Sequence, residues 1–236
     1  MAPCAVSVCA DPGNHPCRRM ANFFPRWTNY LAIKLVFCLL VIGGAASAAY
    51  WWYLTPEYMR QGYQPVQPVP FPHEIHVNEL GMDCRYCHSN VQVSSASNVP
   101  TTQTCMNCHQ QVKKDNPKLW AVKQSWETGQ PMHWVRIHQI PDFAYFNHAV
   151  HVNRGISCVS CHGDVNHMDV VYQHEPLTMG WCLNCHRHPE ENLRPINQVF
   201  NLDWKPSSGE SQEQIGTQLQ KQWNINPPQN CAGCHR

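Results

Sequence analysis

Residues 71–88 read FPHEIHVNELGMDCRYCH, and they hold the two patterns that decide the fold. The second pattern, Cys84-Arg-Tyr-Cys87-His88, is the attachment signal for a c-type haem. Two thiols on one helical turn reach the two vinyl groups of a porphyrin, and the next histidine points at its iron. The same pattern recurs at Cys105, Cys108, His109; at Cys158, Cys161, His162; at Cys182, Cys185, His186; and at Cys231, Cys234, His235.

Other uses of paired cysteines explain this pattern less well. Zinc ribbons take C-x-x-C pairs two at a time, and a single pair can be a redox dithiol. Five pairs leave one over for zinc, and neither chemistry needs a histidine after every second cysteine. The sequence therefore predicts five covalently attached haem c groups.

The first pattern, F-x-H-x-x-H, marks an internal repeat. Residues 71–76 and 146–151 each carry it, and each copy leads into two haem motifs. The second motif of each pair is also alike, C-M-N-C-H against C-L-N-C-H. We expect two copies of a two-haem unit, 71–112 and 143–190, followed by a fifth motif at 231–235.

Each iron needs a second axial ligand to be low-spin. In H-x-x-H the two side chains share a helix face and can reach two different irons. For the fifth iron, four residues remain as candidate axial ligands. The predicted ligands are His73, His76, His148 and His151, with His138, His174, His167 or Met168 for the fifth iron.

An apolar run predicts a membrane-spanning helix at 31–54. It is long enough to cross the hydrocarbon layer, and aromatic residues 50–53 suit the interface. Arg18, Arg19, Arg26 and Lys34 put residues 1–30 in the cytoplasm by the positive-inside rule. The alternative is a signal peptide cleaved near Ala46-Ser47-Ala48. No role is predicted for Cys4, Cys9 or Cys17.

Prolines in residues 55–70 favour an extended linker that lifts the following domain off the membrane. Residues 71–236 then form a periplasmic multihaem cytochrome c domain of loops and short α-helices around five haems. One further helix is expected near 210–222, from its apolar spacing. The net charge of +1 argues against a nucleic-acid partner.

With these motifs on one anchored chain, the sequence resembles the pentahaem cytochrome c subunit of alternative complex III, a quinol oxidoreductase of respiratory or photosynthetic chains. Residues 71–112 and 141–187 carry the likeness, including Pro141-Asp142-Phe143 and Met179-Gly180-Trp181-Cys182. The two-haem units are also similar to c7- and c3-type cytochromes. That second likeness implies that His76 serves the Cys84/Cys87 haem and His151 the Cys158/Cys161 haem.

The resemblance implies partners and a place in the cell. It implies an iron–sulfur subunit, polytopic quinol-binding membrane subunits and a monohaem cytochrome c subunit in one complex of the bacterial inner membrane. A soluble periplasmic cytochrome c or copper protein would accept the electrons. We expect an electron-transfer subunit without catalysis of its own. The alternatives are a stand-alone quinol dehydrogenase that feeds a periplasmic reductase, and a multihaem reductase with one open iron.

Overall fold

The computed structural model describes residues 25–54 and 60–235, and in these ranges the chain forms helices and loops without a β-strand. The expectation of short helices joined by loops is confirmed there. Five of the α-helices in the described ranges lie at the paired-cysteine motifs. The α-helices are α1 Leu31–Leu54, α2 Cys84–Cys87, α3 Thr102–His109, α4 Trp120–Thr128, α5 His148–Val152, α6 Val159–His162, α7 Met179–Arg187, α8 Gln212–Gln222 and α9 Cys231–Cys234.

Tighter and wider helical turns complete the secondary structure. A π-helix spans Glu74–Glu79, with His73 at its N-cap. Such turns are rare and often lie at functional sites. The 3₁₀ turns are Arg26–Tyr30, Pro117–Leu119, Val165–His167, Pro189–Glu191 and Ile196–Gln198.

The chain divides into two compact units, residues 1–53 and 54–236. In the first, α1 has 24 residues and its apolar side chains are exposed. Within the described ranges the apolar helix at 27–53 is one candidate membrane span, by length and composition. It serves as a membrane anchor or a signal sequence. The cysteines for which no role is predicted, Cys4, Cys9 and Cys17, lie outside the described residues.

The second unit has little side-chain core for its size. One buried cluster joins the segment before the first copy, and the first copy itself, to α4. Another joins both copies to the loop after α7. The clusters are Val69, Met106 and Val122, and Val91, Val152 and Val199. So small an apolar core fits a domain whose centre is completed by bound porphyrins.

The predicted linker is in part a piece of this second unit. Residues 55–59 lie outside the described residues, but 60–70 are bonded into the domain. Backbone bonds join Gly62 and Tyr63 to Gln173, and the Gln67 side chain bonds the backbone of Val135 twice. Val69 is buried. Residues 60–70 of the predicted linker therefore lie against the domain, where glutamine side chains and a buried valine hold them.

The helix predicted near 210–222 is confirmed as α8. It starts with a capping box, in which Ser211 accepts from Gln214 N and the Gln214 side chain accepts from Ser211 N. Gly216 lies on its buried face against the 3₁₀ turn Pro189–Glu191. A side chain larger than hydrogen would overlap the carbonyl oxygen of Glu190, so this glycine sets how closely the helix approaches.

Candidate functional site

Side-chain caps start several of the motif helices at a defined residue. Asp83 accepts a bond from Arg85 N ahead of α2, and Thr178 accepts from Trp181 N in the helix that carries the fourth motif. Asn230 does the same for Gly233 N ahead of α9. Because the cap fixes where the turn begins, both cysteines lie on one helical turn and the histidine at or just after its end.

Four of the five motif histidines have one ring nitrogen bonded to a backbone carbonyl. A carbonyl oxygen can only accept, so each Nδ1 carries the proton and Nε2 keeps its lone pair. This tautomer is the one that ligates a metal through Nε2. The bonds are His88 Nδ1 to Asn98 O (2.7 Å), His109 to Val112 O (3.0 Å), His186 to Pro228 O (2.7 Å) and His235 to Phe143 O (3.1 Å).

The motif histidine of α6 differs from these four. His162 Nδ1 lies 3.2 Å from Nε2 of His138, and the two rings meet edge to face at 4.3 Å. Burial is the main cause that lowers the pKa of His162 to about 3. Nearby imidazoles add to this shift, and His138 contributes the most among them. His162 is therefore neutral, which is the form that binds a metal.

The second histidine of each F-x-H-x-x-H is held in the same way in both copies. His76 Nδ1 donates to Pro72 O at 2.9 Å, and His151 Nδ1 donates to Asn147 O at 2.8 Å. The phenylalanine of the pattern lies on the same ring, with centroid distances of 4.4 Å in the first copy and 4.5 Å in the second. One carbonyl and one aromatic face thus orient each imidazole.

Each of these rings faces the last motif histidine of its own copy. The ring centres of His76 and His109 are 6.3 Å apart, and those of His151 and His186 are 6.1 Å apart. A metal–nitrogen bond of about 2 Å on each side, with about 1 Å from nitrogen to ring centre, separates two axial imidazoles by ~6 Å. Both pairs therefore have room for one iron between the rings.

This arrangement does not fit the pairing implied by the c7- and c3-type likeness. His76 was expected with the motif of His88 and His151 with the motif of His162, but each faces the later motif of its copy.

The first histidines lie near the earlier motifs. Burial, helped by the imidazoles of His88 and His76, lowers the pKa of His73 to about 4. Among the groups that lower the pKa of His162 is His148, after burial and His138. His148 Nδ1 donates to Ser95 O at 2.9 Å. His73 therefore lies within electrostatic range of the first motif histidine, and His148 within electrostatic range of the third.

The cysteines suit thioether attachment. None of the eleven cysteines in the described ranges forms a disulfide, and ten of them belong to the motifs. Burial raises the pKa of Cys158 to about 11 and that of Cys161 to about 12, so both are neutral thiols in an apolar setting. Beside Cys161, a cavity of about 240 Å³ is lined by His151, His186 and the thiols of the fourth motif.

The four candidates for the fifth iron lie in different surroundings. Both ring nitrogens of His167 are bonded, to Asn78 and to Asp203. His138 Nε2 contacts His162, and Met168 is buried with its carbonyl bonded to the backbone of His73. His174 Nδ1 bonds Glu175, and its Nε2 enters none of the hydrogen bonds found in the described ranges.

Comparison with known proteins identifies a family that covers most of this chain. The model of the family "Cytochrome c7 and related cytochrome c" matches residues 69–127 and 144–236. This chain belongs to that family. It is also similar to the "Menaquinone reductase, multiheme cytochrome c subunit" of Nitratidesulfovibrio vulgaris, with 28% identity over 177 residues, 66% of this chain and 83% of that protein.

Membership of the cytochrome c7 family establishes the chemistry in outline. The chain is a multihaem cytochrome c that transfers electrons and carries covalently attached haem c. The motif cysteines, the ligating tautomers and the two ring spacings fit that cofactor. The carbonyl acceptors of residues 98, 112, 228 and 143 were not foreseen, since every residue has a carbonyl and no side-chain pattern marks the ones used.

Proposed function

We propose that this cytochrome is the electron-transfer subunit of a membrane quinol oxidoreductase of the alternative complex III type. It would carry five haem c groups and pass electrons from quinol, through an iron–sulfur partner, to a periplasmic acceptor. The observation that carries the proposal is the paired imidazoles at 6.1 and 6.3 Å, in a chain similar to a menaquinone reductase subunit. Bound haem supplies an iron that exchanges one electron between its ferric and ferrous forms.

The side chains would do three things for that exchange. The motif thiols would anchor the porphyrins, and the paired imidazoles would bind the irons. The Nδ1–carbonyl bonds hold each ring in one tautomer and one orientation. An iron with two protein ligands has no position for a small substrate, which favours electron transfer over the alternative of a multihaem reductase.

The ring spacings support two of the axial pairs proposed here. We propose His76 with His109 for the second haem and His151 with His186 for the fourth. His73 with His88 and His148 with His162 would serve the first and third. For the fifth iron we propose His174, because its Nε2 enters no hydrogen bond in the described ranges while its Nδ1 bonds Glu175. His138, His167 and Met168 are set aside for the contacts described above.

The partners and location are proposed with the function. Residues 31–54 would remain as an anchor, with the N-terminus in the cytoplasm and the haem domain in the periplasm. The partners would be an iron–sulfur subunit, polytopic quinol-binding subunits and a monohaem cytochrome c subunit. The mass of the mature chain separates an anchor from a cleaved leader. A chain that starts after residue 48 would overturn the anchor.

The name of the relative favours the opposite direction of electron flow. That protein is a subunit of a menaquinone reductase, so electrons could enter from the periplasm and leave to a quinone. The purified native complex distinguishes the two directions. Menaquinol added to the oxidised complex should reduce the haems, as seen in the α-band. Haem reduction only by a reduced periplasmic carrier, with menaquinone then reduced, would support the reverse direction instead.

The isolated subunit gives the matching control. Purified alone, it should stay oxidised when menaquinol is added, yet become reduced with dithionite. Rapid oxidation of menaquinol by the subunit alone would instead indicate a stand-alone quinol dehydrogenase. Mass spectrometry of the denatured chain should show five haem adducts, and fewer adducts would overturn the five-haem proposal.

A further inference from the structure

One motif histidine has a hydrogen-bond partner unlike the others. Four motif histidines donate from Nδ1 to a backbone carbonyl, at 2.7 to 3.1 Å. His162 instead meets Nε2 of His138 at 3.2 Å. Because Nε2 of His162 must be free for iron, its proton sits on Nδ1, so His162 is the donor and His138 the acceptor.

His138 is held in place by its own neighbours. The guanidinium of Arg60 donates to the carbonyls of Arg136 and Ile137, both at 3.2 Å, and to Gln139 Oε1 at 2.7 Å. Arg136 Nε donates to the carbonyl of His138 at 3.1 Å. The loop on both sides of His138 is thus bonded, and the imidazole is half-buried against His162.

We propose that His138 is a positioning residue that tunes the third haem by accepting the Nδ1 proton bond of His162. An imidazole nitrogen is a much stronger base than an amide carbonyl, so it draws the shared proton further from His162. That makes His162 a more electron-rich ligand, and such a ligand favours ferric iron. The third haem would therefore have a lower midpoint potential than a carbonyl acceptor would give it.

This inference rests on the proposed function only in taking His162 as the axial ligand of the haem on Cys158 and Cys161. The mass of tryptic peptides checks that point first. A wild-type peptide without haem on these two cysteines would overturn the proposed function, and with it the inference. A peptide with haem leaves the role of His138 to be decided by the variants alone.

The experiment is a redox titration of the full chain with three variants. His138→Phe removes the acceptor and keeps a ring, whereas His138→Gln offers an amide oxygen like the carbonyls at the other motifs. His133→Phe, an exposed histidine on the same loop, is the matched control. Haem content and low-temperature EPR are recorded for each protein.

His138→Phe should keep five low-spin haems and raise the midpoint potential of one haem, shifting its ferric–ferrous equilibrium about tenfold towards ferrous. His138→Gln should fall between the wild type and His138→Phe, and His133→Phe should match the wild type. If His138→Phe does not accumulate, Arg60→Gln loosens the same loop and should shift the same haem in the same direction.

Two results would overturn the inference. Unchanged potentials in His138→Phe, or in Arg60→Gln where only that variant can be made, would mean that the contact has no influence on the iron. A new high-spin ferric signal in His138→Phe would show that His138 is itself an axial ligand of another haem, as the sequence alone allowed.

Discussion

The imidazole rings of His151 and His186 lie with their centres 6.1 Å apart, although the two residues are far apart in the sequence. The same relationship joins His76 and His109 at 6.3 Å. Both copies of the repeat thus bring together the second histidine of F-x-H-x-x-H and the histidine of the later motif. Several expected outcomes depend on this pairing.

Replacing His151 by Ala should leave the iron on Cys182 and Cys185 with one imidazole. We expect one of the five haems to become high-spin, with unchanged haem content, because the thioether bonds and His186 remain. EPR and the pyridine haemochrome assay measure both quantities. His133→Ala, at an exposed position, should leave every haem low-spin.

A combined variant shows which haem His151 serves. In a chain that already lacks Cys182 and Cys185, His151→Ala should add no high-spin signal, since its haem is gone. A new high-spin signal in that background would mean that His151 binds a different iron, such as the one on Cys158 and Cys161.

His174→Ala tests the proposed sixth ligand of the last haem. Loss of its free Nε2 should make one haem high-spin, and added imidazole should restore the low-spin spectrum by filling the vacated position. His167→Ala is the matched comparison, because both of its ring nitrogens are already bonded to Asn78 and Asp203. A low-spin spectrum in His174→Ala would assign the fifth iron to another residue.

Gly216→Ala should loosen the contact between α8 and the turn at Pro189–Glu191. The added methyl group would overlap the Glu190 carbonyl, and overpacking of this kind costs about 1–3 kcal/mol. For a domain of this size that lowers Tm by ~2–4 °C per kcal/mol. Gln218→Ala, exposed on the same helix, should melt like the wild type, and equal Tm values for all three proteins would contradict this packing.

Asp203→Asn should change how stability depends on pH. The side-chain bond from Asp203 raises the pKa of His167 above 6.5, and the bonds from His167 and Asn166 lower the pKa of Asp203 below 3.8. The His167 contribution is complete below pH 6.5 and is lost as pH rises through its higher folded pKa. The Asp203 contribution is lost only as pH falls below 3.8.

The Tm difference between wild type and Asp203→Asn should therefore be largest near about pH 5.5 and small by about pH 9. Thermal melts at both pH values measure it. Asp115→Asn, an exposed carboxylate on another loop, should show no such change. The same Tm difference at both pH values would rule out a protonated His167 as the partner.

Much of the site could be predicted because its chemistry is local. The five motif turns need only adjacent residues, and α8 begins at a cap that lies within its own first turn. The contacts that hold residues 60–70 against the domain could not be predicted, for the opposite reason. The prolines of this segment favour extension, but Gln67 and Val69 make contacts with residues distant in sequence, which no local pattern records.

By itself the sequence determined where thiols and histidines stand along each turn, since haem attachment and helix capping depend on neighbours within four residues. Only the tertiary structure decided which imidazoles face each other. It also decided that His138 meets His162 while the other motif histidines meet carbonyls. Ring pairing depends on how separate turns pack in space, and packing directions are set by the whole domain.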